Sequence, residues 1–239
     1  MHRRYLLLHG SWHGAWCWFK VAPRLRRGGE VVVPDLPGRG RMPAWAPSLT
    51  LPRMVRAIAP LVGGPVPTTI VVHSRYGVLA TALAEAMPHA IRRVVYLAAY
   101  LLPSGARARD AFAADVDSLL RPHVAVDHLR VRDRLDPVAY REGLYADCCD
   151  DDVELARALL CAEPSLPALA RVRTTDDGWG RVPKAYIRLT QDRAVSIAAQ
   201  DRMLAACPVD RIESLHASHS AYFSQPDALV ASIERVDAD

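Results

Sequence analysis

Lysine is nearly missing from this chain: among 239 residues, only Lys20 and Lys184 carry a primary amine. The other basic side chains are guanidinium groups, which neither accept protons at neutral pH nor form Schiff bases, so lysine chemistry has almost no place to start. The arginines are interspersed with acids, and the formal charge of +4 never gathers into a basic tract. No nucleic-acid partner is expected from that pattern. Cysteine is sparse and odd in number (Cys17, Cys148, Cys149, Cys161, Cys207), with no CxxC spacing. This excludes a disulfide framework and fits a reducing compartment, so a cytoplasmic location is the expectation. Long apolar runs are absent too. Nothing approaches the roughly 20 residues of a membrane span. Tyr5 to Leu8, behind the basic Met1-His2-Arg3-Arg4, is much shorter than the roughly 7–15 apolar residues of an export signal. No membrane contact is expected, and no linker or repeat divides the chain.

What the chain does contain is apolar residues, at 51%, enough for one α/β core with an insertion. Strand and helix signals alternate. Tyr5 to Leu8 reads as a buried strand, Trp16 to Arg27 as a helix, Glu30 to Val33 as a second strand, and Thr50 as the N-cap of a helix reaching Val62. The β-branched run at 69–73 leads into a helix over Val78 to Met87, and another strand covers Arg92 to Ala98. After a long interruption, strands at Lys184 to Thr190 and Asp210 to Leu215 flank a helix at Ser196 to Ala206. A terminal helix opens at Pro226. Such alternation implies right-handed crossovers and a mostly parallel, doubly wound sheet. The interruption shows only amphipathic helical pieces (110–120, 137–144, 152–160) and is too long for a structureless loop. It reads as a helical lid. The expected division is a core of residues 1–104 and 181–239 with a lid at 105–180.

The stretch Val72-His73-Ser74-Arg75-Tyr76-Gly77 stands at the junction of strand and helix. A serine held at such a corner sits at a helix N-terminus that favours negative charge, as an acyl-transfer nucleophile requires. The usual GxSxG pattern is altered, with Val72 and Tyr76 at its glycine positions. Asp192 and His219 follow later strands, so serine, acid and histidine occur in that order. Proton affinities divide the labour: an imidazole must take the serine proton, and a carboxylate must hold the imidazole's tautomer. Other readings of the same residues are a helix N-cap at Ser74, a turn aspartate at 192, and a metal pair formed by His216 with His219. No third ligand accompanies that pair, and neither metal nor cofactor is expected. Asp35 is a weaker alternative acid. Asp150, Asp151 and Asp152 suit the start of a lid helix, with Cys148 and Cys149 packed inside the lid, and the five tryptophans suit core positions, except Trp12.

Several segments carry a family resemblance over nearly the whole length: His9-Gly10-Ser11-Trp12-His13-Gly14-Ala15-Trp16-Cys17-Trp18, Asp35-Leu36-Pro37-Gly38-Arg39-Gly40, Tyr96-Leu97-Ala98-Ala99-Tyr100, Tyr145-Ala146-Asp147-Cys148, Trp179-Gly180, Gln191-Asp192-Arg193 and Ser218-His219. The chain resembles the α/β-hydrolase superfamily, and within it the plant methylesterase and hydroxynitrile lyase group with its bacterial relatives. The resemblance implies a catalytic triad of Ser74, Asp192 and His219, with an oxyanion hole from the backbone N–H groups of Ser11 and Arg75. Trp12, His13, His73, Tyr76 and Tyr100 are the candidates for substrate contact, with His13 and His73 also reading as packing or hydrogen-bonding neighbours of the site. Lyases of the group carry lysine after the catalytic histidine and glutamate before the serine. Here those positions are Ser220 and His73, which favours the esterases, and Lys184 is a poor substitute.

The departure at Tyr76 implies either a sheet moved apart locally or a ring projecting into the site, where it would narrow the pocket. Arg75 would reach a substrate carboxylate or lie in solvent. The expected activity is hydrolysis of a small or medium carboxylic ester without a cofactor. Two alternatives stand beside it: the same fold serving a biosynthetic cyclase, decarboxylase or lyase with His219 as base, and a non-catalytic ligand-binding receptor. A small molecule is the expected partner, and a homodimer is compatible with the sequence.

Overall fold

The computed structural model describes residues 3–238; Met1 and His2 of the basic amino-terminal stretch, and Asp239, lie outside the described residues. Six strands form one sheet: β1 (Arg3–Leu8), β2 (Gly29–Val32), β3 (Thr68–His73), β4 (Ile91–Leu97), β8 (Lys184–Leu189) and β9 (Arg211–Leu215). Their order is β2-β1-β3-β4-β8-β9, and every neighbouring pair is parallel. Strand β1 alternates between the sheet's faces, sending Tyr5 and Leu7 into one apolar cluster and Leu6 and Leu8 into the other. Both faces are therefore covered, which is why the strands read as continuous apolar runs.

Between the strands lie α1 (Ala22–Leu25), α2 (Leu51–Val62) and α3 (Gly77–Ala86). Helix α2 buries Leu51, Met54, Ile58 and Val62 along one stripe, the signature of a helix lying on a sheet. Helix α3 is buried on nearly every side. The helix expected over 16–27 is instead a 3-10 turn at Ala15–Trp18 followed by the four residues of α1. Pro23, which has no N–H to donate, accounts for that break. Thr50 stands at the N-cap of α2 without making a side-chain cap bond.

Residues 105–180 depart from the purely helical expectation. They hold α4 (Ala108–Ala114), α5 (Asp150–Leu159) and α6 (Leu166–Leu169), but also a small antiparallel sheet of β5 (Val124–Val126), β6 (Arg132–Leu135) and β7 (Glu163–Pro164), in that order. Its strands are two to four residues long, and β6 and β7 carry charges, so they give almost no period-two apolar signal. The three aspartates sit in the first turn of α5, where they suit its dipole. Cys148 is buried, but Cys149 is exposed rather than packed inside. Beyond β8 come α7 (Ile197–Ala206), then α8 (Ala221–Ser224) and α9 (Pro226–Asp237) after β9. No helix among the described residues is long and apolar enough to cross a membrane.

The strand order places the site. After β1 the chain turns outward to β2, then returns to build β3 and β4 on the other side. The loops following β1 and β3 therefore part at a topological switch point, where open parallel sheets leave a crevice.

Candidate active site

Ser74 occupies that crevice. The strand β3 ends at His73, and Ser74 turns into a short 3-10 segment that continues as α3. Its φ of +59° is the strained conformation that lifts a serine out of the sheet. Two glycines make room for the corner. The Leu8↔Val72 register brings Gly10 beside it, where a Cβ would lie 2.9 Å from the Ser74 Cβ. At Gly77 a Cβ would meet the Tyr100 carbonyl oxygen at 2.3 Å. Gly77, not residue 76, thus takes the closest backbone approach, and a tyrosine at 76 is tolerated.

Asp192 follows β8 and His219 follows β9. The His219 Nδ1–H donates to Asp192 Oδ2 at 2.7 Å, and a carboxylate can only accept, so Nε2 is left as the acceptor facing Ser74 Oγ at 3.1 Å. The other carboxylate oxygen, Asp192 Oδ1, accepts from the N–H groups of Ala194 and Val195 at 2.7 and 2.9 Å. The histidine loop is held from two sides. His73 donates from Nε2 to the His219 carbonyl at 3.0 Å. Asp147 accepts the Ser218 N–H at 3.0 Å and also takes the Ser218 hydroxyl.

Ser11, Trp12, Arg75, Tyr100, Phe112, Leu120, Ala194 and Val195 line a narrow cavity of ≈ 20 Å³ with Ser74. A neighbouring chamber of ≈ 490 Å³ shares Arg75 and Phe112 with it and extends beneath Val124, Val126 and Leu169. Trp12 and Tyr100 therefore lie where substrate contact was expected. His13, His73 and Tyr76 do not. His13 is buried, with Nδ1–H donating to the Ser11 carbonyl at 2.6 Å and Nε2 facing the phenol oxygens of Tyr145 and Tyr222 at 2.5 and 3.0 Å. Burial depresses its pKa to about 3, and it stays a neutral strut behind the loop. Burial likewise drives His73 and His9 well below the ordinary imidazole value.

Tyr76 resolves differently from both expectations. Its ring is fully buried and its hydroxyl contacts Arg39, at 2.6 Å, and Glu163. Arg39 also pairs with Glu163, and both side chains are fully buried. Burial raises the Tyr76 phenol above its usual range, and the adjacent carboxylate adds to that. Arg75 borders both cavities, and its guanidinium is paired within the protein, donating to both Asp133 oxygens at 2.8 and 3.3 Å. Lys184 opens β8 at the far end of the sheet and spends its ammonium on the carbonyls of Trp179, Gly180 and Val182. Of the tryptophans, Trp18 is core whereas Trp45 is exposed. Asp35 holds loops together through the N–H groups of Ala15 and Arg41. His216 lies against Thr190, and no cluster of three or more His, Cys, Asp or Glu suited to a metal occurs among the described residues.

The sequence motifs contain Arg39, Gly77 and Asp147 without assigning them a role, and nothing in them singled out Asp133 or Glu163. Asp133 sits between Arg132 and Arg134 and reads as part of a solvated charge run. Glu163 offers a usable signal: a single acid between Ala162 and Pro164, in a stretch with no other charge from 158 to 170.

A parallel sheet with a serine, a histidine and an aspartate in hydrogen-bond series at its carboxyl edge defines the class. The chain belongs to the alpha/beta hydrolase family, whose model matches residues 5–232. It is 27% identical over 246 residues to a chloroplastic protein of Arabidopsis thaliana named for methylesterase activity, covering 94% of this chain and 61% of that one. The chain thus spans less than two thirds of that relative's length. Methylesterase 9 of Arabidopsis thaliana is also 27% identical, over 244 residues and 95% of both chains. Among solved structures, a pyrethroid hydrolase from Sphingobium faniae superposes with a TM-score of 0.89 at 22% identity, covering 99% of this chain and 98% of that one.

Proposed function

We propose that the protein is a serine hydrolase of small or medium carboxylic esters, akin to the methylesterases among its relatives. One observation carries the reading: the continuous series Asp192–His219–Ser74 at bonding distances. In this reading Ser74 Oγ attacks the ester carbonyl while His219 Nε2 takes its proton, and Asp192 stabilises the resulting imidazolium. The tetrahedral oxygen is received by the backbone N–H groups of Ser11 and Arg75, whose residues border the same cavity. His219 returns the proton to the departing alcohol, and a water attacks the acyl-enzyme to release the acid and restore Ser74. No cofactor enters. The narrow space at Ser74 takes a small group, the larger chamber takes the rest of the ester, and residues 105–180 act as a lid over both.

A serine-directed fluorophosphonate located by mass spectrometry, with hydrolysis of short-chain aryl esters, tests this. Label on Ser74 and a fall in kcat of about 10³-fold or more in Ser74→Ala are expected. An unlabelled protein with activity unchanged in Ser74→Ala overturns the proposal. Activity retained there but lost in His219→Ala moves the function to a base-driven reaction.

A further inference from the structure

Two carboxylates of the inserted segment, Asp133 and Glu163, face one another as cross-strand partners of β6 and β7. Like charges directly opposite on a ladder repel, and these two are buried as well. A fold keeps such an arrangement only where something offsets it, and what offsets it here is the catalytic corner itself. Asp133 takes the Arg75 guanidinium and, at 2.9 Å, the indole N–H of Trp12. Glu163 takes Arg39, the Tyr76 hydroxyl and, at 2.7 Å, the backbone N–H of Trp12. The Trp12 carbonyl accepts from the Cys161 N–H at 3.0 Å. Every polar group of Trp12 is thus bound to the insertion. Trp12 also holds a φ of +63°, a conformation that costs a bulky residue about 1–2 kcal/mol when nothing supports it. The Arg75 guanidinium lies over its ring, 5.4 Å from the centroid.

These contacts converge on two backbone segments: Trp12 directly follows Ser11, and Tyr76 directly follows Arg75. We propose that Asp133 and Glu163 are positioning residues that aim the Ser11 and Arg75 N–H groups at the developing oxyanion. The inference rests on the serine-esterase reading above and adds to it a device built on the two residues that follow Ser74, Arg75 and Tyr76. A carboxylate accepts at both oxygens, and an amide cannot. Asp133→Asn turns an NH₂ toward Arg75 or Trp12, and Glu163→Gln turns one toward donors at Arg39, Tyr76 and Trp12, each without a change of volume.

The test compares an alkyl trifluoromethyl ketone, which adds to the serine and bears an oxyanion, with the matching methyl ketone, which binds without adding. A misaimed donor costs less than a deleted one, so Asp133→Asn and Glu163→Gln are expected to lower kcat and weaken the trifluoromethyl ketone by about 10-fold or more. KM and the methyl ketone affinity should stay within about twofold, since neither reports the oxyanion. Tyr76→Phe and Trp12→Phe, read in the same way, supply the comparison if either amide variant fails to fold. Unchanged inhibition overturns the inference. So does a parallel weakening of both ketones, which would mark a role in pocket shape alone. A wild-type protein that takes neither fluorophosphonate nor trifluoromethyl ketone overturns the esterase reading itself, an outcome distinct from either of these.

Discussion

At the scale of single residues, under the proposed esterase reading, the site divides into groups that would react and groups that restrain them. Asp192 spends one oxygen on His219 and the other on two backbone N–H groups. Asp192→Asn would keep the loop close to its present shape but place an amide against the Nδ1–H of the imidazole, selecting the other tautomer and leaving Nε2 protonated toward Ser74. Ester turnover is expected to fall by about 10⁴-fold, read as kcat at neutral pH with KM little altered. Ser74, Asp192 and His219 could be singled out in the sequence because each follows a strand, and the structure brings them into one hydrogen-bonded series even though the glycines around Ser74 are replaced. The place of the Tyr76 ring was not legible. Reasoning from the glycine pattern allowed either a sheet moved apart locally or a ring in the pocket, whereas the close approach falls at Gly77 and the phenol turns to Arg39 and Glu163. A residue 87 positions later in the chain decides where that ring points, and no local pattern announces it.

At the scale of elements, α7 shows how a helix start can fix the loop that carries Asp192. Ser196 caps it, accepting from the Ala199 N–H at 3.1 Å, and donates its hydroxyl to Asp115 at 2.5 Å. The Ser196 N–H reaches the same carboxylate at 2.9 Å. Only three residues separate this cap from Asp192. Ser196→Ala removes the side-chain bonds and leaves a buried Asp115 oxygen short of a donor, so a loss of about 1–2 kcal/mol is expected in urea unfolding. The strands and long helices of the core were legible from apolar periodicity, since each buries a face in one of two clusters. The insertion showed as an interruption of that rhythm, but its small sheet did not. Strands β5 to β7 are short, and β6 and β7 are held by ion pairs and by Trp12 rather than by an apolar stripe.

At the scale of the whole molecule, three neutral histidines stand beneath the site. His9 ties the loop after β1 to the loop after β2, accepting the Leu36 N–H at 3.0 Å. His13 and His73 brace the loops on either side of Ser74. Burial depresses all three, His13 to about 3. The unfolded chain takes up a proton at each near pH 6.5, whereas the folded protein does not until far lower pH. The stability they contribute is therefore complete above about pH 6.5 and declines as pH falls below it, by up to about 1.4 kcal/mol per pH unit for each histidine. Denaturation midpoints should be flat from pH 8 to pH 7 and drop steeply between pH 6 and pH 4. Replacing His73 by Gln, which keeps a donor toward the His219 carbonyl, should make that drop shallower.

The hold of the insertion on Trp12 bears on how such a protein can diverge. A segment inserted between two strands would ordinarily be free to drift, gaining new substrates while the machinery beneath stays constant. Here Asp133, Cys161 and Glu163 are answered by Trp12, Arg39, Arg75 and Tyr76 on the core side. An exchange on one side strands a buried charge on the other, at a cost of several kcal/mol. The inserted segment and the sheet loops it grips must then be inherited together, and a graft from a relative would have to bring both halves of the lock.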